Sequence, residues 1–120
     1  MEFYVGLHQP SDAKHFARAC ISTKRLQPRR THIGNCRVMV DSGGFTEVTQ
    51  FGGYRQGVET YVAEIERLRG ICHIDCVVAQ DYMCEPFALA KTGLTVAEHQ
   101  RLTVERYAAL RALVPSDIHV

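Results

Sequence analysis

The chain has 120 residues, a formal net charge of +1, 46% hydrophobic and 22% charged residues. That size and balance fit one small globular domain or a piece of a larger one. Near-neutral charge excludes a global nucleic-acid footprint, and no run of about 18 apolar residues is present to span a bilayer. Met1-Glu2-Phe3-Tyr4 lacks the basic-then-apolar order of a signal peptide, and the five cysteines lack disulfide-scaffold spacing. Both point to a cytoplasmic chain with reduced thiols.

In chain order, Phe3-Tyr4-Val5-Gly6-Leu7 reads as a strand that ends at His8-Gln9-Pro10. Ser11 is placed to cap a helix beginning near Asp12, with Ala13, Phe16, Ala17, Cys20 and Ile21 as its apolar stripe. Residues 22–35 are polar, basic and irregular, and read as a long loop. Within it, Lys24-Arg25-Leu26-Gln27-Pro28-Arg29-Arg30 holds four cations, as a solvated loop or as a phosphate contact. The second strand is 37–41, followed by a Ser-Gly-Gly-Phe turn and a flexible stretch from Thr46 to Gly57. A helix over about 58–69 carries Val58, Tyr61, Val62, Ile65 and Leu68 on one face and stops at Gly70.

The third strand is 75–81, and Tyr82 to Leu94 reads as loop. Thr95-Val96-Ala97-Glu98 forms a capping box for a helix to about Leu113. Val96, His99, Thr103, Tyr107, Leu110 and Val114 line one face of it, with His99 read as a hydrogen-bonded core histidine. Pro115-Ser116 breaks the helix, and Asp117-Ile118-His119-Val120 opens a fourth strand. The resulting order, β-α-β-α-β-α-β, implies an α/β fold with parallel strands and right-handed crossovers. A closed (β/α)8 barrel takes about 250 residues. Residues 1–120, about three and a half βα units, therefore read as the N-terminal part of a TIM barrel, with a small open sheet as the alternative.

Two apolar runs end in acids. Val38-Met39-Val40-Asp41 is followed by Ser42-Gly43-Gly44-Phe45, and Cys76-Val77-Val78-Ala79-Gln80-Asp81 by Tyr82-Met83-Cys84-Glu85-Pro86. Acids at the C-terminal ends of parallel strands sit where α/β enzymes place their chemistry. The bland alternative for each is a carboxylate capping the next turn. Cys72-x3-Cys76, with His73 between, has no second pair to complete a four-ligand set, so the cysteines read as small buried residues and no metal is expected.

Asp41-Ser42-Gly43-Gly44-Phe45 resembles the Asp-Ser-Gly-Gly-aromatic motif of tRNA-guanine transglycosylases. The block Gln80-Asp81-Tyr82-Met83-Cys84-Glu85-Pro86-Phe87, with Leu89-Ala90-Lys91-Thr92-Gly93-Leu94, is similar to one branch, the DpdA-like 7-deazaguanine DNA transglycosylases of phages and bacterial DNA-modification clusters. Phe3-Tyr4-Val5-Gly6-Leu7-His8-Gln9-Pro10 resembles the same branch. The resemblance implies a TIM-barrel pentosyltransferase that replaces guanine in DNA with a 7-deazaguanine such as preQ0. The alternatives are the same exchange on tRNA, a catalytically dead remnant, and an unrelated barrel using two strand-end acids with a metal. By resemblance, Asp41 contacts the base and handles protons, Asp81 accepts hydrogen bonds from it, Phe45 stacks on it and Ser42 orients the acids. Gly43 and Gly44 leave room for the base plane, and His8, Gln80 and Cys84 complete the substrate-binding set. The family's nucleophile and zinc module would lie beyond Val120, so the chain alone is expected to be inactive and to hold no cofactor. DNA, the deazaguanine base and further DNA-modification proteins are the implied partners.

Overall fold

Four parallel strands pair in the order of the sequence, β1 (Val5–Leu7), β2 (Arg18–Ser22), β3 (Arg37–Asp41) and β4 (His73–Val77), in a computed structural model that describes residues 1–120. Helices α1 (Thr23–Leu26), α2 (Gly44–Phe51), α3 (Val58–Leu68), α4 (Pro86–Thr92) and α5 (Val96–Leu113) fill the connections. The chain is therefore α/β, with a four-stranded parallel sheet and helices between strands.

Each strand divides its residues between two faces with the period of two that a pleat imposes. Ala19 and Ile21 of β2, Val38 and Val40 of β3, and Val77 of β4 are buried in one core with Tyr61, Ile65 and Leu68 of α3 and Leu110 of α5. Gly6, Cys20, Met39 and Cys76 lie level across the four strands on the other face, and Cys20, Met39 and Cys76 stay half-buried there. The helices thus clad one face of the sheet.

Several segments depart from the sequence reading. Residues 18–22 form a central strand, where a helix from Asp12 was expected. Only a 3-10 turn, Pro10–His15, forms there, with Gln9 at its N-cap; Ser11 makes no cap. Ala13, Phe16, Ala17, Cys20 and Ile21 do match a helical stripe, but Ala19 and Ile21 also alternate, and pairing with both β1 and β3 decides between the two patterns. The expected loops hide short helices: α1 in 22–35, α2 after the Ser-Gly-Gly turn and α4 in 82–94. Finally, β4 ends at Val77, after a bulge opposite Val38 and Met39, so Gln80 and Asp81 lie beyond the strand. The expected strand at 117–120 amounts to one parallel bridge between Cys76 and His119. On α5, His99, Leu110 and Val114 are buried as expected, whereas Val96 and Tyr107 are exposed.

The N-terminal edge of the sheet is tied by one acid. Asp75 is buried, and Arg37 Nε and Nη2 donate to its Oδ1 at 2.8 and 2.7 Å while the Tyr4 hydroxyl donates to Oδ2 at 2.6 Å. Burial alone would raise the Asp75 pKa; the bonds from Arg37 and Tyr4 and the Arg37 charge outweigh it and hold the carboxyl below its usual range. The same bond pushes the Tyr4 hydroxyl up to about 12. A depressed folded-state pKa adds stability that is fully present above the unfolded value near 4 and is lost as pH falls through the lower folded value. Asp75→Asn should therefore lower the thermal midpoint by several degrees at pH 7, with the gap from the parent closing below about pH 4. A gap that persists undiminished in acid would mean that the charge is not its source.

Candidate functional site

The site is built where β3 turns into α2. Asp41 is the last residue of β3, and its Oδ2 accepts the Gly43 N–H at 3.0 Å. Gly43, at the N-cap of α2, takes a left-handed conformation (φ 76°), with the Lys24 methylenes packed over its Cα. A side chain is strained there, which explains the first glycine. The second glycine answers to space. A Cβ on Gly44 would collide with the Tyr54 hydroxyl and lie 3.1 Å from Asp81 Oδ1. Ser42, buried beneath the turn, shares a 3.0 Å hydrogen bond with the same Tyr54 hydroxyl. Burial, with the charges of Asp81 and Asp41 adding to it, raises the Tyr54 pKa far enough to keep the phenol protonated.

The second block arrives from the end of β4. Asp81 is half-buried; burial raises its pKa, and the charges of Asp41 and Glu85 raise it further. The two acids are thus brought to one end of the sheet, where the Asp41 charge acts on Asp81. No neighbouring side chain donates a hydrogen bond to Asp81. That separates it from the other buried carboxylates, since Asp75 takes its bonds from Arg37 and Tyr4, and Glu47 takes Lys24 Nζ at 3.2 Å and Arg55 Nη2 at 3.0 Å. Burial pushes the Glu47 pKa up, but those two partners bring the net shift down.

Around Asp81 the loop is held rigidly. Gln80 is buried and its Oε1 accepts from Arg106 Nη1 at 2.6 Å. The Arg106 guanidinium lies 5.1 Å from the Tyr54 ring centre and 5.8 Å from that of Tyr82. Tyr82 donates its N–H to Thr103 Oγ1 at 2.9 Å, and its hydroxyl accepts the Tyr54 N–H at 3.3 Å. His99 is a core histidine as expected: its ring nitrogens bond the Met83 carbonyl and Thr92 Oγ1, each at 2.7 Å.

The remaining expected residues are less closely gathered. Phe45 is exposed on the first turn of α2, in edge contact with Phe87 of α4 at 5.8 Å. Cys84 donates only a long contact to the Tyr82 carbonyl, 3.9 Å away. His8 is exposed one residue beyond β1, two strands from β3 and so about 10 Å from Asp41. Cys72 is buried, its thiol bonded to the Leu68 carbonyl at 3.3 Å, while Cys76 lies on the sheet face level with Met39. Tyr54 and Arg106 are site residues that the sequence reading did not select. Tyr54 follows two glycines and reads locally as loop, and Arg106 reads as one more polar residue of a long helix.

The family model described as DpdA, DeoxyPurine in DNA protein A, matches residues 1–119. The chain belongs to this family. DpdA membership places it among transglycosylase-related, DNA-modifying proteins, in accord with the resemblance carried by the Asp41 and Asp81 blocks. No curated protein and no solved structure matches the chain.

The two glycines of this DpdA-family turn should fail differently when given a Cβ. Gly43→Ala should cost about 1–2 kcal/mol of stability in urea denaturation, through left-handed strain, and leave the tyrosine environment intact. Gly44→Ala should instead displace Tyr54 and change the near-ultraviolet circular dichroism of the tyrosines. Identical spectra for parent and Gly44→Ala would show that the Tyr54–Gly44 approach is not needed.

Proposed function

We propose that this chain forms the base-recognition side of a pentosyltransferase that exchanges guanine in DNA for a 7-deazaguanine such as preQ0. The observation that carries the reading is Asp81, a half-buried carboxylate without a side-chain donor, set against a Cβ-free glycine at the strand edge beside Asp41. Guanine presents adjacent N1–H and N2–H donors, which suit a carboxylate acceptor. Discrimination is steep when a wrong base leaves buried groups unpaired. Gly44 leaves a flat ligand room against the turn, and Phe45 supplies an aromatic ring at its mouth, as extrusion of a base from the duplex requires.

The exchange would run in two displacements. A nucleophilic carboxylate attacks C1′ of the deoxyribose, the C1′–N9 bond breaks, and guanine leaves with a proton at N9. The deazaguanine then loses its N9 proton, its nitrogen attacks C1′, and the carboxylate is released. Following the family resemblance, we assign Asp41 to base contact and proton handling rather than to covalent attack; its Oδ2 accepts the Gly43 N–H. The nucleophile then comes from outside residues 1–120, and this segment alone should not exchange bases. The strand order and the clad and half-buried faces of the sheet support the further reading of residues 1–120 as part of a (β/α)8 barrel wall. Exchange on DNA would place the protein in the cytoplasm, with other DNA-modification proteins as neighbours.

The test is incorporation of labelled deazaguanine into duplex DNA and into tRNA by the complete gene product, with residues 1–120 alone as a control. DNA should be labelled and tRNA should not; labelling of tRNA alone would move the activity to RNA, and labelling by residues 1–120 would refute an outside nucleophile. Asp41→Asn should slow turnover by roughly 10²–10⁴-fold, the range of general acid–base roles. Asp81→Asn should mainly weaken or change base selection, since the amide offers a donor where guanine also offers one. Base binding needs ionised Asp81, whose pKa lies above the ordinary value near 4. Guanine affinity should therefore be full at neutral pH and fall as pH drops through that raised value. Affinity that stays flat to about pH 4 would count against Asp81 as the acceptor.

A further inference from the structure

None of the five phenylalanines enters the core, and three of them, Phe45, Phe51 and Phe87, stand exposed on α2 and α4. These two helices pack on each other just after the two acids, so Phe45 and Phe87 meet beside Gly44, and Phe51 stands at the far end of α2. Exposed aromatics of this size need a reason in a chain whose core holds no phenylalanine.

Two cations stand at the Phe51 end of this surface. The Arg55 guanidinium lies 3.5 Å from the centre of the Phe51 ring, and its Nε and Nη2 bond Glu47 while Nη1 has no partner. Lys24 reaches the same carboxylate from α1 after crossing Gly43. Two cations therefore share one buried acid and leave a surplus of positive charge. A polar cleft of about 660 Å³ opens beside them, with Lys24 and Arg55 among its lining residues and Ser42 and Tyr54 connecting it to the base site. The cleft also holds Arg67, but that side chain is spent on Glu64 and on the Leu26 and Arg29 carbonyls.

Exposed rings beside two cations that share a single acid suit an unstacked nucleic-acid strand, whose bases offer flat faces and whose phosphates offer charge. We propose that the α2–α4 surface and the neighbouring cleft between α1, α2 and α3 hold the DNA strand that flanks the exchanged base: Arg55 and Lys24 take phosphates, and Phe87 and Phe51 take neighbouring bases. This rests on the base-exchange reading for the location of the reacting nucleotide. DNA is favoured over a protein partner because two cations, Arg55 and Lys24, stand at the Phe51 end of this surface in a chain of a DNA-modifying family.

The test is binding of labelled DNA to the complete gene product, measured by fluorescence anisotropy across a salt series, with deazaguanine incorporation followed in parallel. Phe87 is exposed and touches chiefly Phe45, so Phe87→Ala should leave the thermal midpoint unchanged. It should weaken DNA binding by roughly 5- to 150-fold with an unaltered salt slope. Arg55→Gln should reduce the slope of log affinity against log salt by about 0.9, the loss of one phosphate contact, and Arg55→Lys should restore it. If Phe87→Ala leaves affinity unchanged and Arg55→Gln leaves the slope unchanged, the surface assignment is wrong. If binding shifts as described but no base is exchanged by the parent, the surface stands and the exchange reading fails. Tighter binding of tRNA than of DNA, weakened by the same substitutions, would overturn DNA as the occupant.

Discussion

The arrangement depends on how closely the chain can approach Gly44. The Tyr54 hydroxyl and the Asp81 carboxylate both press on the space a Cβ would fill. This contact draws the loop after α2 and the loop after β4 onto the end of β3. Ser42 below the turn holds the Tyr54 hydroxyl, and Tyr82 holds the Tyr54 backbone. Arg106 then lies near both tyrosine rings and binds Gln80, next to Asp81. One missing side chain is thus the point on which two loops and helix α5 converge.

The three buried or half-buried carboxylates show what the fold does with charge. Asp75 and Glu47 each receive cationic donors and are held below the ordinary carboxylate range despite burial. They contribute to stability and are already saturated. Asp81 receives no side-chain donor, and burial together with the Asp41 charge raises it instead. Leaving a half-buried acid without partners costs stability, and such costs collect where a ligand is to be bound. Asp75 ties the N-terminal edge of the sheet and Asp81 lies beyond the C-terminal edge, matching the division between stability and chemistry in parallel α/β folds.

Much of this was legible in the residues. The Val38–Val40 run ending in Asp41 and the helical periodicities of 58–68 and 96–113 are long or sharp enough to specify their elements, and the structure has them there. The stretch 16–22 was ambiguous because Ala17, Cys20 and Ile21 satisfy a helical stripe while Ala19 and Ile21 satisfy a strand. Neighbours far along the chain settle that choice. Helix α4 had signals that the loop reading passed over: Pro86 at its first turn and Gly93 in a left-handed C-cap. Tyr54 had none, since its partners Ser42, Gly44 and Tyr82 are set by the tertiary fold. Asp41 was visible because its strand end announces itself, and Asp81 because it closes an apolar run, although β4 stops at Val77; their support was not, because it comes from three separate segments.

The two halves of the site share one plan. After each strand-edge acid the chain turns, forms a short helix and only then enters the long helix that covers the sheet: β3, α2, α3 in one half and β4, α4, α5 in the other. Phe45 is the second residue of α2 and Phe87 the second residue of α4, and their rings meet edge to face. The covering helices α3 and α5 turn their buried side chains, Ile65, Leu68 and Leu110 among them, into the core, while the inserted helices carry aromatic rings outward. An insertion at this point leaves the core undisturbed, because the strand and the covering helix keep their register on either side of it. The fold can therefore present acids from the strand edges and rings from the inserted helices around one opening, with stability and recognition assigned to different segments of the same βα unit.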